Sequence, residues 1–451
     1  MQNKKEKIRN SERDLFGTRT GFVLACIGSA VGMGNIWRFP NMVSTYGGLT
    51  FILPYFLFVI LIGCTGIVEE MALGRAAGSG PVGAFGRAAG TRGKEKVGRV
   101  AGVVPVAGSL ALAIGYTVVM GWIIKYTYLA FSGGLEAMGQ DMGVIGTAFG
   151  VTADSWGANI WIVFAALAAF AIMAFGVSAG IENANKIMMP VLFFLFVILG
   201  VYIAFLPGAS DGYKYIFTFN GSGLTDPKVW IYAFGQAFFS LSIAGSGTVI
   251  YGSYLNKEED IPKSARNVAV FDTLAALLAA MVIIPAMATS GEKLSAGGPG
   301  LMFIYLVNVM NGMGSAGRIV SMIFFTCVLF AGVSSIINLY ESPVAFLQDE
   351  LKLKRVPATG IMLAAGCTAA LCIQHITSQW MDVVSIYICP VGALFAGIMF
   401  FWVLKKEDAL EAANSGAGKK VGNVFYNTGK YVYVTLTLAA LIAGAALGGI
   451  G

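Results

Sequence analysis

Apolar runs of about 20 residues recur along the chain and restrict its fold more than any other feature. They lie near 19–44, 48–74, 97–132, 158–175, 183–206, 228–255, 264–290, 319–347, 356–374, 378–404 and 430–449. A helix of that length crosses the roughly 30 Å hydrocarbon core of a bilayer. Lipid offers a backbone no hydrogen bonds, so such spans must be helices that pair their own N–H and C=O groups. The runs therefore predict an all-α polytopic membrane protein with eleven transmembrane helices. Composition agrees: 57% of residues are hydrophobic and only 12% charged, against about 25% charged in soluble domains.

The remaining bulk features mostly exclude. Net charge is +6, but the basic residues fall between apolar runs and form no single patch, so no nucleic-acid partner is expected. The six cysteines sit in or beside apolar runs without paired CxxC spacing, and His375 stands alone. With one histidine and no HExxH motif, a membrane enzyme is not expected. The polar start of the chain lacks the pattern of a cleaved signal peptide.

Lysine and arginine set the orientation. Lys4, Lys5, Lys7, Arg75, Arg87, Lys94, Lys96, Lys257, Lys263, Lys352, Lys354, Lys405 and Lys419 all fall on one side of the predicted bilayer, whereas the other side holds only Lys214, Lys228, Lys293 and Arg318. The positive side is cytoplasmic. The expected placement is multi-pass in the cell membrane, with the N-terminus cytoplasmic and the C-terminus extracellular. The chain divides into a cytoplasmic N-terminal segment (1–18), a first five-helix repeat (19–206), a second (228–404), and a loop with helix 11 (405–451).

Two spans are interrupted at matching places. Span 1 contains GSAVGMGNIWRFP (Gly28 to Pro40) and span 6, five helices later, SLSIAGSGTVIYGSY (Ser240 to Tyr254). Glycine costs a helix interior about 1 kcal/mol relative to alanine, so clusters of it favour unwinding. An odd offset of five inserts the second repeat upside down. Broken helices 1 and 6 in an inverted repeat indicate a transporter with its site near the midplane; glycine-mediated helix packing is the plainer alternative.

An unwound segment near Ala30 to Asn35 offers carbonyls to a small cation, and the second half-helix offers amides to a carboxylate. Asn35, Ser240, Ser334, Ser335 and Asp272 add hard oxygen donors. Asp272 lies within an apolar run, where a carboxylate costs roughly 2.5–3.5 kcal/mol on insertion scales; it is either an ion ligand or a packed acid. Arg38 and Asp382 are spaced to pair near the outer face, and Glu70 to accept amides freed in span 6. Gly180 and Pro190 mark either a weak point or a tolerated kink in span 5.

These motifs, with YGGLTFILPY (Tyr46 to Tyr55), Tyr116, FFSLS (Phe238 to Ser242), FAGVSS (Phe330 to Ser335) and AFLQDEL (Ala345 to Leu351), resemble the neurotransmitter:sodium symporter family, specifically its bacterial eleven-helix amino-acid transporters. The resemblance implies Na⁺-coupled import of an amino acid, with an apolar or aromatic side chain, by alternating access. It implies two Na⁺ sites. The first uses the Ala30 carbonyl, Asn35, Ser240, Asp272 and the substrate carboxylate; the second uses the carbonyls of Gly28, Val31 and Ala331 and the hydroxyls of Ser334 and Ser335. The substrate pocket would be lined by Ser29, Ala30, Met33, Gly34, Leu112, Tyr116, Phe239, Ser242, Gly245 and Leu339. Arg38 with Asp382 would form the outer gate, and Arg13 with Asp349 the inner one.

The departures carry information. Gly32 stands where monoamine-transporting relatives place an aspartate, so the substrate should bring its own carboxylate. Family members that need chloride bind it near Tyr55, Gln236 and Ser240. Here Asp272 replaces a common asparagine and Ala276 a chloride-binding serine, so no chloride requirement is expected. Phe16 replaces a tryptophan that anchors the N-terminal segment. A channel is the main competing class; saturable flux without unitary currents separates the two. The sequence leaves the oligomeric state open.

The orientation is directly testable. In a background without native cysteines, Lys214→Cys should react with a membrane-impermeant maleimide in intact cells. Lys94→Cys should react only after permeabilisation; the reverse pattern would invert the topology.

Overall fold

The computed structural model describes residues 14–243, 247–289, 291 and 298–449. These residues form helices and no strand. Eight helices are long and apolar enough to cross a membrane: Leu49–Ala77, Glu95–Ser132, Val177–Ala204, Ile261–Thr289, Ser315–Leu351, Arg355–Cys372, Gln374–Val403 and Asn423–Leu447. They correspond to spans 2, 3, 5, 7, 8, 9, 10 and 11. Span 1 is a bent pair, Arg19–Ala30 and Gly34–Tyr46, turning 53° at the break. The short apolar helix Asn159–Met173 fits span 4, and the pair Pro227–Ser240 and Gly247–Gly252 fits span 6, an arrangement compatible with eleven spans.

Span 3 and span 8 run for 38 and 37 residues. At 1.5 Å per residue they are roughly 55 Å long and overshoot the bilayer. Both are mostly enclosed by protein, whereas spans 5, 9 and 11 bury about a third or less of their most apolar window and face outward. The broken spans 1 and 6 need that enclosure, because irregular backbone at membrane depth survives only where protein or a cavity satisfies it.

The break in span 6 is braced by span 2. Glu70 is fully buried and accepts hydrogen bonds from the Thr248 hydroxyl and the Val249 amide, both at the start of the second half-helix. The predicted role of Glu70 is thus met by one side-chain donor and one backbone donor. Helix N-termini leave amides without partners and carry a positive dipole end, which suits a carboxylate.

On the predicted cytoplasmic side, Phe16 is 4% exposed and packs edge-on against Phe22, Tyr251 and Tyr254 at 5.2, 5.6 and 6.3 Å. It therefore occupies an aromatic socket itself, without a tryptophan. The Gly17 amide donates to Glu182 at 2.6 Å, as does the Thr18 hydroxyl, tying the segment to span 5. Tyr254 donates to Glu341 at 2.5 Å, and Arg355 grips the same carboxylate at 2.5 and 2.8 Å.

Removing the donor of the Glu70 brace should be costly. Thr248→Val leaves a buried acceptor short of a partner, a loss of about 1–3 kcal/mol. The melting temperature of the detergent-solubilised protein should fall for Thr248→Val and hold for Thr248→Ser.

Candidate functional site

The two breaks meet at one cavity. Its lining comprises Ser29, Ala30, Gly32, Gly34, Leu112, Tyr116, Phe239, Ser240, Ser242, Ser335, Asn338 and Leu339. Local backbone explains why they converge. Helix Arg19–Ala30 ends where Val31 turns extended, at φ −73° and ψ 98°. Ser242 sits at φ +57°, a left-handed conformation that a serine adopts only at a cost. Its hydroxyl donates to the Ser29 carbonyl at 2.7 Å, so the break of span 6 holds the break of span 1.

Beside the cavity lies a buried polar cluster drawn from three helices. Ser240 donates to Asp272 at 2.8 and 3.0 Å, to either carboxylate oxygen. Asn35 Nδ2 donates to Asp272 Oδ1 at 2.7 Å and lies 3.1 Å from Ser240 Oγ. Asn35 and Asp272 are fully buried. Asn35 Oδ1 accepts the Gly32 amide at 3.0 Å. In a continuous helix that amide would bond the Gly28 carbonyl; its diversion frees a carbonyl oxygen of span 1. Carboxylate, hydroxyl and carbonyl oxygens are the donors a hard cation selects.

A second group of oxygens lies across span 1. Ser334 donates to the Ala331 carbonyl at 3.0 Å. The Ser335 hydroxyl has no hydrogen-bond partner among the described residues and fills the space a methyl on Gly32 would need, 2.5 Å from that position. The structure thus brings span 8 against the Gly28–Gly32 break.

Above the cavity the Phe239 ring packs on Gly34, with a methyl there 3.0 Å from the ring. The Arg38 guanidinium lies 4.8 Å over the same ring, a cation–π contact. Arg38 and Asp382 lie within electrostatic reach of one another. Below, Asp349 accepts the Gly80 amide at 2.9 Å.

Of the ten residues expected in the substrate pocket, Ser29, Ala30, Gly34, Leu112, Tyr116, Phe239, Ser242 and Leu339 line the cavity. Met33 is buried but not among the lining residues. Gly245, and Arg13 of the inner pair, lie outside the described residues. Asn338 was missed by the sequence reading. It lines the cavity, and the available signal was a carboxamide one helical turn beyond Ser335 in an apolar span.

Comparison with known proteins agrees with this geometry. The family model described as the sodium:neurotransmitter symporter family matches residues 13–138 and 150–447. A sodium-dependent transporter of Methanocaldococcus jannaschii is 30% identical over 438 residues, covering 91% of this chain and 86% of that protein. A sodium-dependent neutral amino acid transporter, B(0)AT3 of Rattus norvegicus, is 24% identical over 477 residues, covering 86% of this chain and 76% of its own. The crystal structure of MhsT in complex with L-phenylalanine superposes with a TM-score of 0.84 at 31% identity, covering 96% of this chain and 99% of that one.

Proposed function

We propose that this chain, which belongs to the sodium:neurotransmitter symporter family, imports an amino acid with an apolar or aromatic side chain, coupled to Na⁺, by alternating access. The observation that carries the proposal is the cavity between the two helix breaks, with the Asp272 carboxylate, the Ser240 hydroxyl and the Asn35 carboxamide beside it. The substrate carboxylate would sit against the unwound residues of span 1, where Gly32 contributes no side chain and free amides favour an anion. Leu112, Tyr116, Phe239 and Leu339 would hold the side chain, which favours an apolar or aromatic one. The phenylalanine in the complex of the related transporter supports this choice.

Na⁺ enters as a transported ion. At the first site the ligands would be Asn35, Ser240, Asp272, the Ala30 carbonyl and the substrate's carboxylate, so that ion and amino acid complete each other's shell. At the second they would be the carbonyls of Gly28, Val31 and Ala331 with Ser334 and Ser335. Two ions moving down a tenfold gradient and 100 mV supply roughly 7 kcal/mol. That force drives uptake only if ion and substrate bind cooperatively, which shared coordination provides. Phe239 with Arg38 and Asp382 would close the outer side, and Asp349 with Arg13 the inner.

Uptake by the purified protein in proteoliposomes tests the reading. ²²Na⁺ entry should depend on an apolar or aromatic amino acid, and amino-acid uptake should stop when choline replaces Na⁺. Gluconate in place of Cl⁻ should leave uptake intact, because Asp272 already supplies a fixed negative charge and a second anion beside it would be repelled. Uptake that survives choline or collapses in gluconate refutes this assignment.

A proton competes with Na⁺ for the Asp272 oxygens. Apparent Na⁺ affinity should therefore fall as pH drops from 8 to 5.5, and Asp272→Asn should remove most of that dependence while keeping some transport. If Asp272→Ala binds Na⁺ and substrate as the wild type does, Asp272 is a packing residue.

A further inference from the structure

Span 5 places an oxygen against the second ion site that no family motif accounts for. Asn185 is fully buried. Its Nδ2 donates to the Ile181 carbonyl at 2.9 Å, which fixes the carboxamide and turns its oxygen the other way. A methyl group built on Gly28 would overlap Asn185 Oδ1 and stand 3.0 Å from Ser334 Cβ. The Asn185 oxygen therefore lies in the angle between span 1 and span 8, against Gly28 and beside Ser334. It has no hydrogen-bond partner among the described residues.

A buried carbonyl oxygen without a donor is uncommon and costs about 1–3 kcal/mol. Here it is joined, one turn further along span 1, by the Ser335 hydroxyl, which is likewise without a partner among the described residues, and by the Gly28 carbonyl, whose usual amide donor is diverted to Asn35. Unused acceptor capacity on spans 5, 8 and 1 thus gathers around the Gly28–Gly32 break, and a cation there would satisfy it. We propose that the Asn185 carboxamide oxygen is a further ligand of the second sodium site, contributed by span 5. This rests on the reading that Gly28, Val31, Ala331, Ser334 and Ser335 hold Na⁺, and extends it to a third helix.

The position has a mechanical consequence. Asn185 stands between Gly180 and Pro190, and its amide is tied to Ile181 in the π-helical turn Val177–Glu182. An ion on the Asn185 oxygen clamps that turn against span 1. A displacement of span 5 removes one ligand and opens the shell on the side that span 5 covers. It also explains the requirement for glycine at position 28, since the oxygen occupies the space of a Cβ.

The test is ²²Na⁺ binding to the purified full-length protein without amino acid, by scintillation proximity, alongside Na⁺-dependent thermal stabilisation. Asn185→Ala should weaken Na⁺ binding roughly 10-fold or more and lose most of the stabilisation by Na⁺. Asn185→Asp keeps an oxygen in place, adds a charge and should bind Na⁺ more tightly than the wild type. Ser334→Ala serves as the control on the site itself and should weaken binding. Wild-type affinity in Asn185→Ala, with weakened binding in Ser334→Ala, would make Asn185 a packing residue and overturn the proposal. Wild-type affinity in both would remove the underlying site instead. If Asn185→Ala does not yield folded protein, Asn185→Asp decides: affinity no greater than wild type overturns the proposal.

Discussion

The Gly32 amide is the bond on which the rest of the site depends. By donating to Asn35 Oδ1 and not to the Gly28 carbonyl, it ends the first half of span 1 and starts the second. It also does electrostatic work on both sides of the break. One side loses the usual donor to the Gly28 carbonyl; the other gains an Asn35 whose Nδ2 is oriented onto Asp272. A single redirected hydrogen bond thereby links the two proposed ion sites through three residues of backbone. If both proposed sites hold ions, occupancy of either would alter the field and geometry felt at the other, which is the physical content of coupling.

Asp272 shows how the membrane tolerates this arrangement. An isolated carboxylate at that depth is costly, and its surroundings answer with two neutral donors, Ser240 and Asn35. No ion pair to Asp272 occurs among the described residues. Neutral donors reduce the cost of burial without cancelling the charge, so the carboxylate keeps its attraction for a cation. A lysine or arginine in the same place would have stabilised the empty site and abolished the need for an ion. The contrast with Glu341 is instructive: that buried carboxylate is matched by Arg355 and Tyr254, which makes it a structural clasp.

How much was legible in the sequence follows from the length scale of each feature. Spans were readable because a bilayer imposes a run length, and the breaks because glycine clusters are anomalous inside such a run. The residues around the cavity could be named through the family resemblance, which rests on short motifs that carry Ser29, Ala30 and Gly34 in span 1 and Ser240 and Ser242 in span 6. Residues contributed singly by another helix were harder. Asn338 and Asn185 each stand alone in a span, and only tertiary packing shows which face of that span meets the break. Met33, which the resemblance expected in the pocket, is buried in the break without lining the cavity.

The contacts across the breaks also define what a change of access must undo. Ser242 holds the Ser29 carbonyl with its own backbone in a left-handed conformation, so the two breaks are tied by a bond that stores some cost. Phe239 rests on Gly34, a contact that a larger residue at 34 would forbid, and carries Arg38 on its other face. Opening outward must therefore separate a ring from a glycine and lose a cation–π contact of about 0.5–2 kcal/mol. Opening inward must instead disturb the Glu182 clasp on Gly17 and Thr18 and the Phe16 socket. Neither set shares a residue with the other. On the proposed reading, occupancy of the ligand sites at the two breaks would bias which of these sets gives way.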